Sequence, residues 1–279
     1  MGVQVRLLSR ARMKNLIKIS YLIFVVCACI QIQSCKDRAI GRNVLVNPPA
    51  QGFNEAGSDS RAIDIADKVM ESMGGRRAWD QTRYLCWSHG GRRHLIWDKH
   101  TGNVRIDSPV DTAVYLINIF TQEGRVQLHG SEMLDTSTLN RHLKIAYGIW
   151  INDSYWLAMP FKLKDSGVTL KYLREEPDLT GHYSHVMELT FNDVGLTPQN
   201  KYEVWVDTAD NLIKQWAFYR EYGQDTATAV WPWDNYQQKG SILLSGDRSD
   251  GRGPQNVRFF SELPESVFND FDVPERYVN

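Results

Sequence analysis

Histidines, clustered carboxylates and one body cysteine are the residues whose types could do chemistry. The seven histidines are His89, His94, His100, His129, His142, His182 and His185. Only Gly181-His-Tyr-Ser-His185 brings two of them close. A three-residue separation in a strand puts them on opposite faces, so a shared metal would need a bulge between them. Neither HExxH nor a Cys/His zinc pattern occurs, and no metal or cofactor is expected. The paired carboxylates are Glu175-Glu176, Asp207 with Asp210, and Asp247 with Asp250. A glycoside hydrolase needs two carboxyls across a cleft. These pairs lie beside Pro or Gly or in a hairpin loop, where acids serve turns and solubility. A Gly-x-Ser-x-Gly elbow and a phosphate loop are both missing from the sequence. Cys86 sits in the apolar run Tyr84-Leu-Cys-Trp87, which reads as a buried, inert thiol. The expectation is a protein that is not an enzyme, with a hydrolase as the least favoured reading.

The aromatic residues carry more information. Trp87, Trp97, Trp205, Trp216, Trp231 and Trp233 fall in expected strands or at their ends, and Trp150 and Trp156 in an insertion. Core packing is the plain reading. The functional reading is a lined cavity, where aromatics supply apolar area and an orienting N–H. The candidate lining is Trp97, Tyr115, Trp150, Trp156, Tyr202, Val204, Trp216 and Phe218. Trp231-Pro-Trp233 is the least core-like stretch, because proline is excluded from a central ladder, and it reads as a rim feature. Exposed tryptophan would instead suit sugar stacking, which keeps a surface-exposed glycan- or protein-binding module as the alternative.

The N-terminus reads as an address. Residues 1–34 hold Arg6, Arg10, Arg12, Lys14 and Lys18 and no acid, followed by an apolar run over 21–30. This is a secretory signal pattern, and the run is half of the roughly 20 residues a spanning helix needs. Ile32-Gln33-Ser34-Cys35 has the form of a lipobox. Val26-Cys27-Ala28-Cys29 competes with it, but cleavage before Cys29 would leave Ile30 and Ile32 in the mature chain, so Cys35 is preferred. Two acyl chains on that cysteine would anchor the protein stably to a membrane. Removing five of 32 basic residues leaves 27 against 33 acids, a net −6. That balance gives no support to nucleic-acid binding. With 31 aromatic residues (9 Trp, 12 Tyr and 10 Phe) the body is not a disordered chain.

Around these residues the pattern predicts a tether over 35–60, rich in Asn, Pro, Gly and Ser, then a single domain over 61–279. Ser60 reads as the cap of a helix over 61–73 with Ile63, Ala66, Val69, Met70 and Met73 on one stripe. Gly74-Gly75 stops it, and a second short helix carries Ala78 and Trp79. A period of two then predicts strands over 83–89, 92–98, 103–107, 112–120, 125–130, 168–174, 183–191, 201–207, 212–220, 226–231, 236–245 and 255–262. An insertion over 131–165 separates two groups of strands. It holds a helix over 137–150, with Leu139, His142, Leu143, Ala146 and Trp150 on one side, and a turn over 152–156. The expected class is α+β, a curved antiparallel sheet of about 11–12 strands with a few helices on its concave face.

Three stretches resemble a known family. Met73-Gly-Gly-Arg-Arg-Ala-Trp79, Ile151-Asn-Asp-Ser-Tyr-Trp-Leu-Ala-Met-Pro-Phe-Lys-Leu163 and Tyr202-Glu-Val-Trp-Val-Asp207 are similar to segments of an uncharacterised family of Bacteroidota-type lipoproteins. That family looks related in fold to the outer-membrane lipoprotein carrier and receptor superfamily. The resemblance covers roughly residues 61–270. It implies that the expected sheet is an incomplete β-barrel closed by helices around a hydrophobic cavity, with a ligand such as an acyl chain, lipid or lipoprotein, and a periplasmic or outer-membrane setting. No residue here matches the carrier's functional arginine. The resulting expectation is a monomeric, lipid-anchored cell-envelope protein that binds a hydrophobic ligand between the sheet and the helices at 61–73 and 137–150.

Overall fold

The computed structural model describes residues 46–278 except position 193, all within one unit, Val46–Asn279. Cys29, Cys35 and the expected signal lie outside the described residues. Helix α1 (Ser60–Ser72) buries Ala62, Ile65, Ala66, Val69 and Met70, a spacing of three and four. Ile63, expected on that stripe, lies at its flank and is only half-buried. Asp59, not Ser60, holds the cap position, yet its carboxylate accepts from the Tyr172 amide (3.0 Å) and Lys171 Nζ (3.1 Å). Gly74 ends the helix at φ 108°, where a Cβ would sit 2.3 Å from the Ser241 carbonyl. Helix α2 (Gly75–Gln81) follows, with Trp79 stacked on Phe161 at 4.4 Å.

The stretch before α1 is docked where a tether was expected. Asn47 is buried; its amide donates to Asp67 (2.7 Å) and its carbonyl accepts from Lys164 Nζ (2.6 Å). The amides of Asn54 and Asp59 donate to the carbonyls of Val168 and Leu170. Residues 47–59 thus complete the polar groups along one end of the second sheet.

Fourteen strands form three antiparallel groups among the described residues. Strands β1 (Tyr84–His89), β2 (Arg93–Asp98), β3 (Asn103–Ser108), β4 (Ala113–Asn118), β5 (Gly124–Leu128) and β6 (Ser131–Glu132) make a meander, and β14 (Pro254–Phe260) pairs with β1. Strands β7 (Val168–Pro177), β8 (Tyr183–Phe191), β9 (Lys201–Asp207), β10 (Ile213–Tyr219) and β11 (Ala229–Pro232) make a second meander. A ribbon of β12 (Asp234–Lys239) and β13 (Ile242–Asp247) lies between β14 and β10. The sheets curve, as the number of strands suggested, and β6 and β7 do not pair, so the barrel is incomplete, as the resemblance implied. The count exceeds 11–12 for two reasons. The expected strand over 236–245 is a hairpin turning at Gly240-Ser241, with Lys239 opposite Ile242. The two-residue β6 is too short to leave a period.

The insertion folds as one long helix, α3 (Thr136–Ala158). The Asp135 carboxylate caps it by accepting the Thr138 amide at 2.9 Å. Residues 152–156, expected as a turn, are helical. Asp153 is fully buried, and Arg93 donates to both its oxygens at 2.9 and 3.0 Å. A polar run that reads as a turn is therefore an internal ion pair. The helix gives way at Ala158 (φ −125°, ψ 13°) to a short 3-10 turn, Met159–Lys162, in which Pro160 takes an early position that needs no amide hydrogen. Along its length α3 packs on β4, β5, β13 and β14, and one continuous core joins both sheets to α1, α2 and α3. The outer face of the first sheet is covered by the C-terminal segment. There α4 (Ser266–Asn269) sets Val267 against Cys86 and Ile96, and α5 (Glu275–Val278) follows.

Candidate ligand-binding cleft

One region of open space lies beside the C-terminal half of α3. Two clefts of about 230 Å³ each adjoin there, sharing Ile151, Tyr155, Phe191, Val194 and Gly195. One continues over Gly148, Leu196, Thr197 and Tyr202; the other over Tyr147, Trp150, Lys162 and Asp165. Helical spacing explains the wall on α3: positions 148, 151 and 155 recur every three to four residues. The opposite wall is the end of β8, the start of β9 and the loop joining them. Gly148 lets that loop approach, since a Cβ there would meet Leu196 at 3.2 Å.

Aromatic rings dominate the lining. Tyr155 meets Tyr202 at 5.5 Å and Phe191 at 6.4 Å, Phe191 meets Tyr202 edge-on at 5.3 Å, and Tyr147 meets Trp150 at 5.9 Å. The Tyr155 hydroxyl and Trp150 Nε1 are shielded from solvent and have no hydrogen-bond partner. Burial holds the Tyr155 pKa well above its ordinary value, so the hydroxyl keeps its proton. Among the described residues, the charged members of the lining are Lys162 and Asp165, which pair at 2.6 Å.

The eight cavity candidates divide. Trp150 and Tyr202 line the two clefts, one each. Trp97, Tyr115, Val204 and Trp216 are buried in the continuous core, and Trp156 and Phe218 pack against it. Trp216 stacks on Tyr202 (5.2 Å), Phe218 (5.9 Å) and Trp231 (5.6 Å), and Trp156 meets it edge-on at 4.7 Å. The space between sheet and helix where a cavity was expected is thus filled around these rings, and the helix at 61–73 borders neither cleft. Trp231-Pro-Trp233 is not a rim. Trp233 is 1% exposed, lies 3.2 Å beneath the Arg248 guanidinium and stacks near Trp156. Pro232 ends the edge strand β11, where a missing amide costs no ladder bond. Tyr155, Tyr147, Ile151, Phe191 and Leu196 were missed. The signal for the first three was present in the 147/148, 151, 155 spacing, once the helix is extended through 152–156.

The remaining chemistry is engaged elsewhere. His185 Nδ1 lies 3.2 Å from Glu175, and His182 Nδ1 lies 4.0 Å from Asp207. Among the described residues no cluster of three or more His, Cys, Asp or Glu is placed to hold a metal. Glu175 pairs with Arg61 (2.7 Å), Glu176 with Arg174 (2.9 Å) and Asp210 with Lys214 (2.7 Å). Arg174 holds the Glu176 carboxyl below the usual range. Cys86 is fully buried, and burial pushes its thiol up to about 11. A second, polar trough of about 290 Å³ lies between the ribbon and β14, lined by Asn235, Gln237, Lys239, Gln255 and Asn256 among others.

The chain matches no family model and none of the curated proteins. Among solved structures it is similar to a DUF1329 family protein from Desulfovibrio piger. Identity is 14% over 75% of this chain and 97% of that one, with a TM-score of 0.40. A LolA superfamily protein from Nitrosomonas europaea is 13% identical over 75% and 97%, with a TM-score of 0.34. MucB is 15% identical over 69% and 68%, with a TM-score of 0.24. The architecture described above rests on this chain's own strand pairing.

Proposed function

We propose that the protein is a non-enzymatic, lipid-anchored component of the cell envelope that binds a hydrophobic ligand in the double cleft beside α3. The observation that carries this reading is the cleft itself. It is a hollow lined mainly by apolar and aromatic side chains of α3, β8, β9 and the loop between those strands. The two clefts together fall in the size range of small-molecule sites. The resemblance to the lipoprotein carrier and receptor superfamily points to the same ligand class. The anchor follows from Ile32-Gln33-Ser34-Cys35, with acylation at Cys35 (alternatively Cys29) and an outer-membrane position facing the periplasm or the cell surface.

The test is to express residues 36–279 in a bacterial host, purify them without detergent and analyse an organic extract by mass spectrometry. A stoichiometric apolar molecule is expected. A clean extract from folded protein, with no binding of any apolar probe, sinks the reading. It would favour the alternative, a surface-exposed glycan- or protein-binding module, for which the amide-lined trough beside β14 is the site the structure offers.

A further inference from the structure

We propose that the C-terminal segment over the outer face of the first sheet is a proton-operated cover: a proton taken up by His94 releases residues 266–277 and uncovers Cys86 and the face beneath them. This inference does not rest on the hydrophobic-ligand reading.

Three observations carry it. The first is convergence on one carbonyl. His94 is 7% exposed and Cys86 is fully buried. The main-chain oxygen of Tyr277 lies 3.2 Å from His94 Nε2, 3.5 Å from Arg258 Nη2 and 3.9 Å from Cys86 Sγ. A carbonyl only accepts, so Nε2 carries its hydrogen toward that oxygen. Nδ1 lies 3.4 Å from the Ser88 hydroxyl, which donates to it. The neutral ring thus uses one donor and one acceptor. A second proton, on Nδ1, would meet a hydroxyl that has to turn.

The second observation is charge. Among the described side chains, the ionic groups about the ring are Arg105 and Asp107 on β3 and Arg258 on β14. Arg276 on α5 is exposed and donates to the Tyr277 hydroxyl at 3.0 Å. Asp107 stands directly opposite His94 in the register, yet both its oxygens accept from Arg105 at 2.8 Å. An imidazolium formed here would join Arg105 and Arg258 against one carboxylate, shielded from water. Burial, with Arg258 and Arg105 nearby, accordingly holds the His94 pKa below its ordinary 6.5.

The third is which element yields. Strand β2 is bonded on both sides within a seven-stranded sheet. The covering segment holds two four-residue helices, and arginines reach its carbonyls: Arg105 to Asp270 and Phe271, Arg258 to Arg276. Helices this short have no stability of their own. Repulsion at His94 is therefore relieved by the segment leaving rather than by the sheet opening. The closed form binds the His94 proton more weakly than the open form. Closure is therefore fully effective above pH 6.5 and weakens as the pH falls below it, by at most about tenfold per pH unit.

The experiment is amide hydrogen exchange on residues 36–279, which hold the whole described unit. Exchange is followed from pH 7.5 to pH 5.0, with each rate divided by the intrinsic rate at that pH. Protection over 266–277, where the Phe268, Asp270 and Tyr277 amides are bonded, is expected to fall by at least about fivefold on acidification. Protection over 183–207 should not change. His94→Gln keeps a donor for the Tyr277 carbonyl and takes up no proton, so its protection should stay level. Protection over 266–277 that does not fall in the native protein overturns the inference. So does a fall of the same size in a folded His94→Gln variant, or one shared by 183–207. Should His94→Gln not fold, Arg258→Gln takes its place. With one cation gone the fall should shrink, and an unchanged fall overturns the inference.

Discussion

Individual side chains show where this fold carries its tension. The Tyr155 hydroxyl has no partner, so removing it should cost nothing in the ligand-free protein. Tyr155→Phe is expected to leave the urea midpoint unchanged or raise it slightly, a readout independent of any ligand. Asp153 is the opposite case. Its carboxylate is fully buried and takes two bonds from Arg93, so Asp153→Ala strands a cation against α3. Breaking a buried pair this way costs about 3–5 kcal/mol, which urea denaturation would resolve easily. Lys99 offers a pH test. Burial pushes its pKa down to about 7 from 10.5, although the ammonium donates to the Trp79 carbonyl and sits 3.5 Å from the Trp79 ring centre. Between those values the unfolded chain holds a proton that the folded chain has lost, so the Lys99 contribution to stability rises with pH. Urea midpoints of the native protein and Lys99→Met, compared from pH 7 to 10, should converge or cross in favour of the native chain. Parallel profiles would mean the ammonium stays charged in the fold.

At the scale of elements, the C-terminal segment acts as a strap. Arginines on the outer face of the first sheet donate to its main-chain carbonyls: Arg105 to Asp270 and Phe271 (both 2.7 Å), Arg125 to Asn269 (2.6 Å), and Arg258 to Arg276 (3.2 Å). His94 Nε2 lies 3.2 Å from the Tyr277 carbonyl, and Cys86 lies beneath, 3.1 Å from the same nitrogen. A chain ending at residue 260 should expose that thiol. Its reaction with a disulfide reagent is expected to accelerate by at least an order of magnitude, in step with the opening free energy that now protects it. An unchanged rate would show that the sheet shields Cys86 without the strap. The elements were largely legible in the sequence, because strands such as β8 and β9 bury one face and therefore alternate. The errors share one cause. Asp153, Trp233 and Asn47 lie in locally turn-like or polar stretches, and only partners elsewhere in the chain, Arg93, Arg248 and Lys164, make them interior.

At the scale of the whole molecule, the proposed anchor lies in sequence outside the described unit. Cys35→Ala is expected to move the protein from the membrane pellet to the soluble fraction without altering its circular dichroism or melting temperature. Retention in the pellet would place the anchor at Cys29 or in an uncleaved apolar segment. Truncation should also discriminate between tether and body. A chain starting at residue 46 keeps the bonds of Asn47, Asn54 and Asp59 and should melt like the native body. A chain starting at Ser60 loses them and should melt several degrees lower.

Composition, alternation and the lipobox pattern by themselves determined the class of fold, the order of most of its longer elements, and the expectation of an anchored envelope protein. Each of these rests on local periodicity or on short motifs, which survive without knowledge of the partner. Only the tertiary structure decided where the open space lies. Whether an aromatic residue fills a core or lines a cleft depends on what packs against it across the sheet. Trp216 and Tyr202 sit on neighbouring strands and stack on one another, yet the first is sealed by Trp156 and Trp231 while the second reaches the gap left by Gly148. Packing at that range is set by contacts between residues far apart in the chain, and no local pattern encodes it.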